Sequence, residues 1–211
     1  VNKSIICPTV LAPDAHDYQV QMNKISGFAK RIQVDLTDGI FAHSPTVTPE
    51  QVWWPEGTLA DVHLMYKDPK SVINRAIKLL PNMVIVHAEA EGDFIKIADK
   101  LHSNNIKVGV ALLAKTSTHL IKPSLGAIDH VLIFSGDLGK FGGIADLKLL
   151  EKVAQIKEWK NDIEFGWDGG VNDNNVNELS AGGINVLNVG GYIQNAPEPR
   201  LAYEKLQKLI S

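Results

Sequence analysis

The chain has 211 residues, 45% of them hydrophobic and 21% charged, enough for one sizeable core and short for two domains of ordinary size. Its 21 basic and 24 acidic side chains leave a net charge of −3 with no block of like sign, which argues against nucleic acid or a membrane surface as a partner. The one cysteine, Cys7, excludes an internal disulfide and fits a reducing compartment.

Taken in chain order, the opening VNKSII lacks the charged and apolar regions of a secretory leader, and no apolar run reaches membrane-spanning length; a cytoplasmic protein is expected. Short, often β-branched apolar runs then recur at 4–9, 31–35, 60–65, 83–87, 106–111, 130–134, 162–167 and 184–189. Eight runs in 211 residues is one per about 26 residues, a spacing that suits βα units rather than hairpins. Helical spacing lies between most of them. Val72, Ala76, Ile77 and Leu80 share a face, as do Phe94, Ile97, Ala98 and Leu101, then Leu147, Leu150, Val153 and Ala154, and finally Ala202, Leu206 and Leu209. Helix starts are marked by Thr48-Pro49-Glu50-Gln51, which reads as a capping box, and by Asp68-Pro69. A helix over 173–181 is expected to stop at Gly182-Gly183. The 115–123 stretch is a short helix at best, and Trp53-Trp54 suggests packing or a subunit contact.

No glycine-rich dinucleotide fingerprint follows the first run, so eight alternating units in this length predict one (β/α)8 TIM barrel over residues 1–211. The C-terminal strand ends would then form the active face. The polar residues where runs stop are Asp35, His63, His87 and Asp168, with Asp38 in the loop beyond. Alternation places Gln33 with Asp35, and Asp61 and Met65 with His63. A cluster of Asp and His suits a divalent cation such as Zn²⁺, Fe²⁺ or Mn²⁺. Each residue also has a plainer reading: His87 as a hydrogen-bonded core histidine, Asp38 and Asp168 as openers of Asp-Gly turns. Glycine pairs follow the last three runs, Gly142-Gly143, Gly169-Gly170 and Gly190-Gly191; glycine lets backbone N–H groups approach an anion, and barrels usually hold phosphate in the loops after strands seven and eight. A phosphorylated small molecule is the expected ligand.

These residues resemble a known family, the ribulose-phosphate 3-epimerases. VDLTDGIF is similar to that family's VDVMDGxF, DVHLMYKDP to DVHLMVxxP, VHAEA to HxEA, KFGG to the end of NPGFGGQ, WDGGV to VDGGV, and NVGGYI to VAGSAIF; the likeness runs from ICPTVLAPD to QNAPEP. The resemblance implies a barrel whose divalent metal is held by two His and two Asp, the acids also transferring protons. Carried over by position, Asp35 and Asp168 are the acid/base pair, and Asp35, His63 and Asp168 are metal ligands, with Gln33 where the second histidine would stand. Thr9, Met65, Gly142, Gly143, Gly170, Gly190, Gly191 and Tyr192 are the expected substrate and phosphate residues. Thr9, Thr37, Phe134 and Gly191 also depart from the pattern, and the loop at 135–143 carries one extra residue. A ketose-phosphate epimerase working through an enediolate is the leading expectation, with a phosphorylated sugar as partner and a homo-oligomer as the assembly. Two alternatives stand beside it. A phosphosugar lyase or decarboxylase would want a lysine where this chain has Thr37; a binding barrel without catalysis would accommodate Gln33 and Gly191.

Overall fold

The computed structural model describes residues 4–211. Each of the eight runs is a strand: β1 (Ile5–Val10), β2 (Arg31–Thr37), β3 (Leu59–Met65), β4 (Met83–His87), β5 (Lys107–Leu113), β6 (His130–Phe134), β7 (Glu164–Asp168) and β8 (Val186–Val189). They pair in parallel in chain order, and β1 closes on β8, giving the expected (β/α)8 barrel. Every residue of β2 and β6 is buried; β6 reads as a nearly continuous apolar run, whereas β2 alternates, Ile32, Val34 and Leu36 joining the main core and the polar residues between them facing the other way.

Parallel neighbours need crossovers, and these supply the outer layer: α1 (Ala15–Ile25), α2 (Ile73–Ile77), α3 (Phe94–His102), α4 (Leu150–Trp159), α5 (Val176–Ala181), α6 (Gly191–Gln194) and α7 (Pro199–Leu209). The first of these was not among the helices expected. It buries Tyr18, Met22 and Ile25, and Asp14 caps it by accepting from the Asp17 N–H at 2.9 Å. Conversely, the box at Thr48 forms, with the Thr48 N–H donating to Gln51 Oε1 at 2.9 Å, yet it opens only a 3-10 turn over Pro49–Gln51. The chain turns extended at Val52 and runs into Pro55, whose ring disfavours helix in the residue before it. The β5–β6 crossover likewise has two 3-10 segments, Thr118–Leu120 and Lys122–Ala127. The helix expected from 173 begins at Val176, because Asn175 Oδ1 and Asn172 Oδ1 draw the N–H groups of Asn172 and Asn174 into local turns. It ends at the predicted place, where Gly183 adopts φ +95°. Trp54 packs on the core, while Trp53 meets Tyr18 edge-on and its carbonyl accepts the Tyr18 hydroxyl at 2.6 Å.

The main core lies between strands and helices. Inside the barrel, three levels differ in chemistry. At the N-terminal floor, buried Arg31 reaches Asp61 Oδ2 at 2.6 Å and both Glu164 oxygens at 2.8 Å, and His130 Nδ1 meets Glu164 Oε2 at 2.7 Å. Gly166 makes room for this, since a Cβ there would stand 2.5 Å from His130 Nε2. Burial alone would raise the Glu164 carboxyl, but the bonds from Arg31 and His130 hold it well below the usual range. Above the floor, Met83, Ile85, Ala111 and Leu132 fill the interior. The third level is the mouth. Among the described residues no helix is long and apolar enough to cross a membrane.

Candidate active site

The β2–β3 register sets Asp35 beside His63, and Asp35 Oδ1 lies 2.8 Å from His63 Nδ1. Asp168 arrives from the end of β7, on the other side of the barrel. Gln33 joins the two acids: its Nε2 donates to Asp35 Oδ1 at 2.9 Å and to Asp168 Oδ2 at 2.6 Å. Asp35, His63 and Asp168 each bring one ligand atom into a group spanning no more than 4.8 Å. Burial first, then the Asp35 carboxylate, pushes the Asp168 carboxyl up to about 7 against the opposing pull of His63 and Gln33. Near neutral pH Asp168 is therefore partly protonated, where an isolated carboxyl would be fully ionised.

This donor set fits a divalent cation. One imidazole nitrogen and two carboxylate oxygens are the ligand types of catalytic sites with open positions. Gln33 strengthens the fit, because its Oε1 is buried with no hydrogen-bond partner among the described residues, while its N–H₂ end sits between two carboxyl groups. Turning the amide over would present the carbonyl oxygen to a cation instead. The tautomer of His63 follows the same choice. A proton on Nδ1 is donated to Asp35, whereas a cation held at Nδ1 would leave the N–H on Nε2, which faces His87 Nε2 at 2.9 Å.

His87 thus belongs to the site's support, as the plainer reading of it had it. Burial pushes its imidazole down to about 4, so it is neutral. Its Nδ1 lies 3.4 Å from Glu89 Oε2, and neither atom makes a hydrogen bond among the described residues. Phe41 packs on the His87 ring at 4.7 Å between centroids, and Phe134 stands 5.9 Å from His63. Asp38 organises loops: it accepts from the Ile40 and Phe41 N–H groups at 2.8 Å and from Lys67 N–H at 2.7 Å. Thr37, in the place of the lysine a lyase would want, donates its hydroxyl to the Ser44 carbonyl.

Above the acids opens a cleft lined by Asp35, Asp168, Thr9, Met65, Gly142, Gly170, Gly190, Gly191 and Tyr192. Gln33 and His63 lie beneath it, fully buried, and Gly143 stands behind its wall, where a Cβ would meet Gly136 Cα at 3.3 Å. Gly170 adopts φ +70°, and a Cβ there would strike Ala145 N at 2.3 Å, so the turn itself demands glycine. Its N–H is already given to the Gly142 carbonyl at 3.1 Å. Gly191 and Tyr192 open α6, and among the described residues their N–H groups have no carbonyl partner at that end, unlike those of Ile193 and Gln194, which go to the Gly190 carbonyl at 3.0 and 2.9 Å. The cleft also holds Lys140 and Asn188, which were not among the expected site residues. Asn188 is next to last in its apolar run, and Lys140 lies in the loop that carries the extra residue.

Residues 5–194 match the ribulose-phosphate 3 epimerase family. The chain is 31% identical over 212 residues to a ribulose-phosphate 3-epimerase of Helicobacter pylori strain J99, covering 97% of both, and 25% identical to one of Schizosaccharomyces pombe, covering 97% of this chain and 93% of that protein. Among solved structures it superposes on a 3-hexulose-6-phosphate synthase with a TM-score of 0.71 at 18% identity, covering 99% of this chain and all of the other, a likeness of fold. The barrel, the acids at its mouth and the match along nearly its whole length agree: the chain belongs to the ribulose-phosphate 3-epimerase family and is an isomerase of the epimerase type.

Proposed function

We propose that this enzyme inverts the carbon next to the carbonyl of a ketose phosphate, of the ribulose 5-phosphate and xylulose 5-phosphate type, by proton transfer between Asp35 and Asp168. The observation that carries the reading is the pair itself: two carboxylates from opposite strands, bonded to one amide nitrogen and facing one cleft. Inversion needs one group to take a proton from one face and another to return one to the opposite face. Asp168, the acid with the raised pKa, donates when Asp35 accepts, and the roles exchange in the reverse direction. The intermediate is an enediolate. Asp35, His63 and Asp168, with Gln33 Oε1 after rotation of its amide, would hold a divalent cation of the Zn²⁺, Fe²⁺ or Mn²⁺ class. When bound, that cation supplies a Lewis acid for the negative charge developing on the substrate oxygens. Phosphate rests against Gly142 and the Gly190–Tyr192 turn, with Gly170 shaping the wall and Thr9 Oγ1 close to Gly190. Anchoring the phosphate holds the reacting carbon between the acids. Phe134, with Phe41 behind it on His87, and Met65 in the cleft wall limit water.

The test is incorporation of solvent deuterium at C3 of ribulose 5-phosphate. The parent chain should exchange, with xylulose 5-phosphate accumulating beside the label, and Asp35→Asn should not. Equal exchange by parent and Asp35→Asn removes the catalytic assignment. No exchange with any divalent metal, alongside measurable sugar-phosphate binding, would leave a binding barrel.

A further inference from the structure

Asn188 has no part in the acid pair or the phosphate cradle. It lies on β8, 3% exposed, beside Asp168 of β7 on one side and Cys7 of β1 on the other. Its side chain lines the cleft that contains both acids. Its Oδ1 is buried and finds no hydrogen-bond partner among the described residues. An amide oxygen left unpaired inside a protein is destabilising, and a valine would fill the same place without that penalty. Gln33 Oε1 is orphaned too, but the other end of that amide is committed to both acids. A buried, unpaired amide oxygen on a side chain that lines a substrate cleft calls for a ligand, which rotation of the amide would let it meet.

Its place along the strand says which part of the ligand. Asn188 is level with Asp168 in the β7–β8 register, and two residues later the chain reaches Gly190 of the phosphate cradle. A ketose phosphate strung between cradle and acids has C3 at the carboxylates and its phosphate at the glycines. In a ketopentose 5-phosphate the stretch between is C4, with its hydroxyl, and C5. We propose that Asn188 reads the C4 hydroxyl, accepting its O–H at Oδ1, and so selects ketose phosphates hydroxylated at the carbon between the reacting centre and the phosphate arm. This rests on the epimerase reading and deepens it from a reaction to a preferred substrate pattern.

The experiment compares kcat/KM for solvent-deuterium exchange at C3 of ribulose 5-phosphate and of its 4-deoxy analogue. The parent should favour the hydroxylated sugar by roughly a hundredfold, since a site built around a hydroxyl leaves its own polar group unpaired when that hydroxyl is missing. Asn188→Val should act on both compounds alike, losing its rate mainly on ribulose 5-phosphate, and should melt no lower than the parent because the orphaned oxygen is gone. Equal parental rates on the two compounds overturn the inference while leaving the epimerase reading intact, and they do so even if the variant fails to fold. A folded Asn188→Val that keeps the full preference overturns it as well. A parent inert towards ribulose 5-phosphate overturns the epimerase reading first and this inference with it.

Discussion

Gln33 does two things that a histidine in its place would not. It ties Asp35 to Asp168 through one nitrogen, and it leaves a carbonyl oxygen buried and unpaired. Gln33→His should therefore bind Mn²⁺ or Zn²⁺ roughly tenfold tighter or more, measured by calorimetric titration, because imidazole is the stronger ligand. The acids should respond differently. Asp35→Asn and Asp168→Asn each keep the side-chain volume and remove the proton acceptor, so turnover should fall by roughly two to four orders of magnitude. Their melting temperatures in the metal-free protein should hold or rise, since one of two clustered like charges is gone. Asp35 and Asp168 were legible as acids at the ends of apolar runs, and His63 as a histidine near the end of one, positions a barrel converts into proximity. Asn188 was not, because an amide two residues before a glycine pair reads as ordinary strand until its unpaired oxygen and the cleft are both visible. Gly170 was legible as a glycine, but its N–H proves to be spent within the loop.

At the scale of elements, strands were easier to read than helices. Burial on both faces writes a parallel strand as a solid apolar run, which survives errors of one or two residues at its ends. The crossovers carry weaker signals. A capping box at Thr48 promises a helix that Pro55 and the extended Val52 cut to a single turn, whereas α1 folds on three well-spaced apolar residues, Tyr18, Met22 and Ile25. The strands also build the ionic floor, which gives an acid-stability prediction. Glu164 is held down by Arg31 and His130 in the folded protein, whereas an unfolded glutamate titrates at about 4.3. The folded state thus binds fewer protons, and the contribution is present above about pH 4.3 and is lost as pH falls through the lower folded value. Glu164→Gln should lower the urea midpoint at pH 7, and the gap from the parent should narrow progressively at pH 4 and pH 3. A constant gap would mean that the charge on Glu164 is not what the floor depends on.

On the scale of the whole molecule, the closed barrel makes the mouth a shared property of all its strands, so a ligand that bridges strands stabilises the fold as a unit. A cation held by β2, β3 and β7 at a hundred times its dissociation constant should add about 2.7 kcal/mol, which for a chain of this size raises the melting temperature by roughly 5–10 °C. His63→Ala should abolish that gain in a thermal melt with and without Mn²⁺. The filled interior also gives the enzyme a short memory. Met83, Ile85, Ala111 and Leu132 form an apolar layer beneath the acids that offers a proton no hydrogen-bonding group on the way to the floor. On the two-acid route, the carboxyl that ends a turnover protonated is the one that began it bare. A molecule that has just released one epimer is therefore set to accept that same epimer back, and must exchange its proton through the mouth before repeating the forward step. At high substrate concentration that reset, and not the chemistry at carbon, would set the pace.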